Sequence, residues 1–60
     1  FQGLEKALAR LPPEHREILL LREIEEMSYE DIAAVLNLNT GTVKSRIARA
    51  RAGLLEKMPR

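Results

Sequence analysis

Lys44, Arg46, Arg49 and Arg51 fall within eight positions of the stretch TGTVKSRIARARAGL (40–54), and no acid falls among them. Side chains of this kind bind polyanions. An arginine fork matches a phosphate or the O6 and N7 edge of guanine, and a lysine adds a point charge. A helix face that is merely solvated intersperses acids with bases for i, i+4 pairing, whereas the first acid after this run is Glu56. Charge along the rest of the chain segregates in the same sense. From Glu5 to Asp31 there are eight acids (Glu5, Glu14, Glu17, Glu23, Glu25, Glu26, Glu30, Asp31) against four bases (Lys6, Arg10, Arg16, Arg22). From Asn37 onward six bases (Lys44, Arg46, Arg49, Arg51, Lys57, Arg60) face Glu56 alone. The net charge is only +1, so any attraction for a polyanion is a local field on one element rather than a property of the whole chain.

Other chemistries lack their parts. There is no cysteine, so no disulfide framework or thiolate metal site can be assembled, and His15, the only histidine, has no cysteine or second histidine near it in sequence. Glu23, Glu25, Glu26, Glu30 and Asp31 are numerous, yet they straddle a helix junction and read as capping and solvating groups, with a face for a basic partner as the alternative. Gly3, Gly41 and Gly53 are too scattered for a phosphate-cradling loop. No catalytic residue, cofactor, metal or small-molecule substrate is expected, and the chain is not read as an enzyme. The absence of cysteine fits a reducing compartment. No apolar run approaches the roughly 20 residues of a membrane span, and no membrane role is expected. Phe1-Gln2-Gly3 has the look of a protease-recognition tag remnant, which leaves 4–60 as the natural piece, a fragment of a longer protein.

Hydrophobic spacing predicts the elements that position the basic run. Sixty residues make one small domain that buries only about 60% of its unfolded surface, around a core that must be aliphatic because there is one Phe, one Tyr and no Trp. Leu4, Ala7, Leu8 and Leu11 share one face of a first helix, which Pro12-Pro13 stops. Pro13 suits the first position of a second helix, with Glu14 at its positive pole. Ile18, Leu19, Leu20, Leu21 and Ile24 give that helix a broad apolar stripe, which predicts a central place with partners on more than one side. Ser28-Tyr29-Glu30-Asp31 caps and opens a third helix. Its buried side is Tyr29, Ile32, Ala33 and Leu36, and Ala33 and Ala34 allow a close neighbour. Asn37 tolerates a left-handed turn, Leu38 plugs the corner, and Asn39 caps a fourth helix that runs to about Met58. The expected fold is all-α, a compact four-helix domain whose last two helices form a helix-turn-helix.

On the fourth helix Val43, Ile47, Ala50 and Leu54 are spaced by four, three and four, and so form its inward seam. At about 100° per residue, Lys44, Ser45, Ala48, Arg49 and Ala52 then point outward, with Arg46 and Arg51 on the flanks. Ser45, Ala48 and Ala52 keep the outer ridge low enough to enter a major groove about 12 Å wide. Thr40, Gly41 and Thr42 stand at the amino end, where the amides of Gly41 and Thr42 can approach a phosphate at the positive pole of the helix. The expected DNA-binding set is therefore Thr40, Gly41, Thr42, Lys44, Ser45, Arg46, Ala48, Arg49 and Arg51.

LPPEHREIL opening the second helix, SYEDIA opening the third, and GTVKSR followed by RAR in the fourth resemble the carboxy-terminal fourth region of bacterial sigma factors. The similarity is strongest to the extracytoplasmic-function group and covers nearly the whole chain after residue 3. The resemblance implies a promoter-recognition domain whose last helix reads the minus-35 element, with Lys44, Ser45, Arg46, Arg49 and Arg51 facing DNA. It also implies docking of other surfaces on the flap of the RNA polymerase beta subunit, an anti-sigma factor as a further candidate partner, and a cytoplasmic location. Asn37 departs from the family's usual Gly, Asn39 from Pro or Ser, and Ala48 from larger side chains. Two other readings compete. The DNA-binding domain of a response regulator or quorum-sensing factor has a similar shape, but it opens on Leu-Thr-x-Arg-Glu rather than Leu11-Pro12-Pro13-Glu14. A protein-interaction module without a DNA role would use the apolar stripes and keep the arginines only for solubility.

Overall fold

Every regular element among the described residues is helical, as the spacing predicts. The computed structural model describes residues 2–58, so Phe1 of the tag reading and Arg60 of the basic half lie outside the described residues. The elements are α1 (Gln2–Ala9), α2 (Pro13–Leu19), a π-helical turn (Leu20–Ile24) that continues α2, α3 (Tyr29–Leu36) and α4 (Thr40–Lys57). Gln2 and Gly3 belong to the first turn of α1.

Each boundary follows from local chemistry. Past α1 the chain tightens, with the Arg10 and Leu11 amides donating to the Ala7 and Leu8 carbonyls at 3.1 Å, before Pro12-Pro13 removes two donors. Pro13 begins α2, and the Pro12 carbonyl accepts from the His15 and Arg16 amides at 3.0 Å. The wide turn closes with the Glu25 amide donating to the Leu20 carbonyl at 3.0 Å, and Glu26 then reverses the chain at φ 55°. A glutamate in that left-handed region is strained, and nothing in the sequence pattern announces it. Ser28 Oγ accepts from the Asp31 amide at 3.1 Å and caps α3.

The turn between α3 and α4 follows the reading of Asn37, Leu38 and Asn39 position by position. Asn37 adopts φ 58°, ψ 49°, and the Leu38 amide donates back to the Ala33 carbonyl at 2.9 Å, a Schellman closure whose hydrophobic partner is Leu38 packed against the core. Asn39 Oδ1 accepts from the Thr42 amide at 2.7 Å and caps α4. Gly41 leaves room for that cap, since a Cβ there would meet Asn39 Oδ1 at 3.3 Å.

The core is Leu11, Ile18, Leu19, Ile32, Ala33, Val43, Ile47 and Ala50, with Ala7 also buried and Leu8, Leu21, Met27, Tyr29, Leu36, Leu38 and Leu54 packed around it. Two expectations need correction. The stripe of the second helix is only partly covered: Ile18 and Leu19 are buried, but Leu20 is 40% and Ile24 69% exposed. Ala33 is buried against a neighbour, but Ala34 faces solvent and takes no part in close helix packing.

Ile47 is 1% exposed at the centre of this packing, so Ile47→Ala is expected to cost about 2–5 kcal/mol, most of the stability available to a domain of this size. Val35→Ala, at a position 62% exposed, should change stability by less than about 0.5 kcal/mol in the same thermal unfolding experiment followed by circular dichroism. At the turn, Asn37→Ala is expected to lower stability by about 1 kcal/mol and Asn37→Gly to hold or raise it, because only the alanine meets the steric penalty of the left-handed backbone.

Candidate nucleic-acid interface

The face of α4 is set by what its other side buries. Val43, Ile47 and Ala50 are at most 1% exposed, packed against α2 and α3, and Leu54 is half-buried. That rotation turns Lys44, Ser45, Ala48, Arg49 and Ala52 to solvent and leaves Arg46 partly covered on the flank. All nine residues expected to meet DNA are exposed or partly exposed on α4, eight of them between Thr40 and Arg49. The low central ridge of Ser45 and Ala48 is bordered by Lys44 on one side and Arg46 and Arg49 on the other.

Short hydrogen bonds order this surface. Ser45 Oγ donates to the Thr42 carbonyl at 3.1 Å, and Arg49 Nε reaches the Ser45 carbonyl at 3.4 Å, which lays the guanidinium along the helix instead of away from it. The amino pole differs from expectation in one respect. The Thr42 amide is consumed by the Asn39 cap, so the amides of Thr40 and Gly41, which have no partner among the described residues, are those left to meet an anion.

Arg51 stands apart from the other cations. Its Nε donates to Glu23 Oε1 at 3.1 Å and its terminal nitrogen bonds the same oxygen, with each side chain half exposed. The Glu23 hydrogen bond holds the Arg51 guanidinium above its already high ordinary pKa, so it is a permanent cation with its charge answered within the molecule. An ion pair this exposed contributes about 0.2–1 kcal/mol. No such partner holds Lys44, Arg46 or Arg49 among the described residues.

Sequence spacing does not reveal these longer-range contacts. Glu23 and Arg51 are 28 positions apart, and nothing local to either marks the other as its partner. Arg22, counted only as a charge by composition, donates to the Met27 carbonyl at 2.8 Å and stacks over Tyr29 with its guanidinium carbon 4.9 Å from the ring centre. Tyr29 is thus a packing residue that also carries a cation. Beside the carboxy-terminal half of α4 lies an apolar cleft of about 350 Å³, lined by Leu4, Leu20, Ile24 and Leu55 with Glu23 and Arg51 at its edge. Among the described residues no group of three His, Cys, Asp or Glu side chains is placed to hold a metal, and no helix is long and apolar enough to cross a membrane.

The family model for sigma-70, region 4 matches residues 1–59. The chain is similar to the ECF RNA polymerase sigma factor SigE of Mycolicibacterium smegmatis, 51% identical over 51 residues that make up 85% of this chain and 20% of that protein. It is similar to the RNA polymerase sigma-H factor of Pseudomonas aeruginosa, 47% identical over 51 residues, 85% of this chain and 26% of the other. Against the ECF RNA polymerase sigma-E factor of Escherichia coli K12 it is 42% identical over 53 residues, 88% of this chain and 28% of the other. The chain therefore spans between 20% and 28% of the length of these curated relatives.

Proposed function

The chain belongs to the sigma-70 region 4 family, and on that premise we propose that it is the promoter-recognition domain of an extracytoplasmic-function RNA polymerase sigma factor. The observation that carries this reading is the exposed face of α4, on which Lys44, Arg46 and Arg49 flank a ridge of Ser45 and Ala48 while Val43, Ile47 and Ala50 anchor the helix from behind. The amino-terminal half of α4 enters the major groove of the minus-35 element. Ser45 and Arg49 face base edges, Lys44 and Arg46 take phosphates, and Thr40, Gly41 and Thr42 lie nearest the sugar–phosphate backbone at the amino pole. Ala48 offers a methyl group, which favours contact with a thymine methyl over a hydrogen bond. Arg51 approaches the backbone only if Glu23 releases it.

RNA polymerase is the second partner, engaged through the flap of its beta subunit. The apolar cleft between α1, the π-helical turn and the end of α4 supports this, because it leaves Leu4, Leu20, Ile24 and Leu55 without cover and lies away from the groove-reading half of α4. An anti-sigma factor that masks either surface would silence the domain, and the location consistent with these partners is the cytoplasm. The region 4 match disfavours the response-regulator reading and the interaction module without DNA.

A labelled duplex enriched by the chain from a random pool tests promoter reading. Arg49→Ala should weaken binding to it by about 1–3 kcal/mol and leave a scrambled duplex almost untouched. An equal loss on both would make Arg49 a phosphate contact, and no saturable binding by the native chain at low salt would remove the DNA reading. For the polymerase partner, Ile24→Asp is expected to abolish co-elution with core polymerase while duplex affinity stays within about twofold of native. Loss of both together would mean that the cleft is not a separate docking surface.

A further inference from the structure

We infer that Glu23 tunes the DNA affinity of α4 by holding Arg51 back from the duplex, an inference that rests on the promoter-reading function proposed above. Arg51 lies seven residues after Lys44, almost two full turns and about 10 Å along the axis, so both sit on the flank that faces the end of α2. That height is beyond the amino-terminal turns that read bases in helix-turn-helix proteins, which makes Arg51 a reserve phosphate contact. Two of its three guanidinium nitrogens are bonded to one oxygen of Glu23, which draws the side chain toward the π-helical turn.

Glu23 has no rival cation at its own position. Its neighbour Arg22 is committed to the Met27 carbonyl and the Tyr29 ring, so the carboxylate answers Arg51 instead. Placement comes from the π-helical turn Leu20–Ile24, which carries Glu23 on an element already fixed to the core through Leu19 and Leu21. The pair is half exposed on both sides, and a pair in that setting is weak enough for a phosphate to compete. Glu23 therefore sets a threshold: α4 meets DNA with Lys44, Arg46 and Arg49 engaged, and with Arg51 recruited only at the expense of the ion pair.

The test measures binding of the enriched duplex and of its scrambled counterpart by fluorescence anisotropy across a salt series. It compares the native chain with Glu23→Gln, Arg51→Ala, the double variant and Glu26→Gln. Glu23→Gln is expected to tighten binding about two- to fivefold on both duplexes. It should also steepen the plot of log affinity against log salt by about 0.9, the signature of one added phosphate contact. On the enriched duplex Arg51→Ala should fall less than Arg49→Ala, the double variant should follow Arg51→Ala rather than Glu23→Gln, and Glu26→Gln should stay near native. Three results would overturn the inference: no gain in Glu23→Gln, a gain that survives in the double variant and so reflects only lost repulsion, or a fall in Arg51→Ala as deep as that of Arg49→Ala. Melting temperatures of the variants within a few degrees of native are expected for half-exposed groups and exclude unfolding as the cause. Absence of duplex binding by the native chain would instead remove the promoter reading itself, and this inference with it.

Discussion

Burial of Val43, Ile47 and Ala50 against α2 and α3 fixes the rotation of α4, and everything the surface can do follows from that rotation. A helix side chain points wherever its phase sends it, so a shift of one residue would turn Ile47 out and Ala48 in, and would bring Lys44 toward the core. The cost of exposing an isoleucine while desolvating an ammonium group is large against the whole stability of a sixty-residue domain. The basic face is therefore held indirectly, by apolar groups that never meet a ligand.

Rotation alone would leave the helix free to slide or tilt, and the turn before it removes that freedom. Asn37 reverses the chain in the left-handed region, Leu38 anchors the corner in the core, and Asn39 ties the first amides of α4 through Thr42. Three consecutive residues thus supply a reversal, an anchor and a cap, which is why the connection can be so short. The cap uses the Thr42 amide, one of the donors that the first turn of a helix leaves without an intrahelical partner. The Thr40 and Gly41 amides stay at the amino pole, and glycine suits position 41 because a Cβ there would meet Asn39 Oδ1 at 3.3 Å.

What the chain pattern makes legible is whatever depends on neighbours within one or two helical turns. The seam of α4, the Ser28 and Asn39 caps, Pro13 at the start of α2 and the left-handed Asn37 are all of this kind, and all stand where spacing and residue type put them. The stripe of the second helix misleads because periodicity records which residues are apolar, while coverage depends on how distant helices pack. Leu20 and Ile24 look like core by type and lie exposed in the fold. The π-helical turn and the left-handed Glu26 escape for a related reason, since no residue preference separates them from an ordinary helix and its end.

The pairing of Arg51 with Glu23 is the clearest case of information that only the folded chain contains. Counting charges assigns Arg51 to the basic run and Glu23 to an acidic half, and both assignments are correct as composition. Folding then brings the far end of the basic helix beside the end of α2, where the two charges answer each other. Segregation in sequence is thus partly undone in space, and the undoing is uneven: it reaches Arg51 and leaves Lys44, Arg46 and Arg49 without an ion-pair partner among the described residues. A uniform stripe of cations would bind polyanions along its whole length with little regard for register. With Arg51 answered by Glu23, the unpaired charge of the basic run rests on Lys44, Arg46 and Arg49, so the positive field of that run is strongest toward the amino-terminal part of α4.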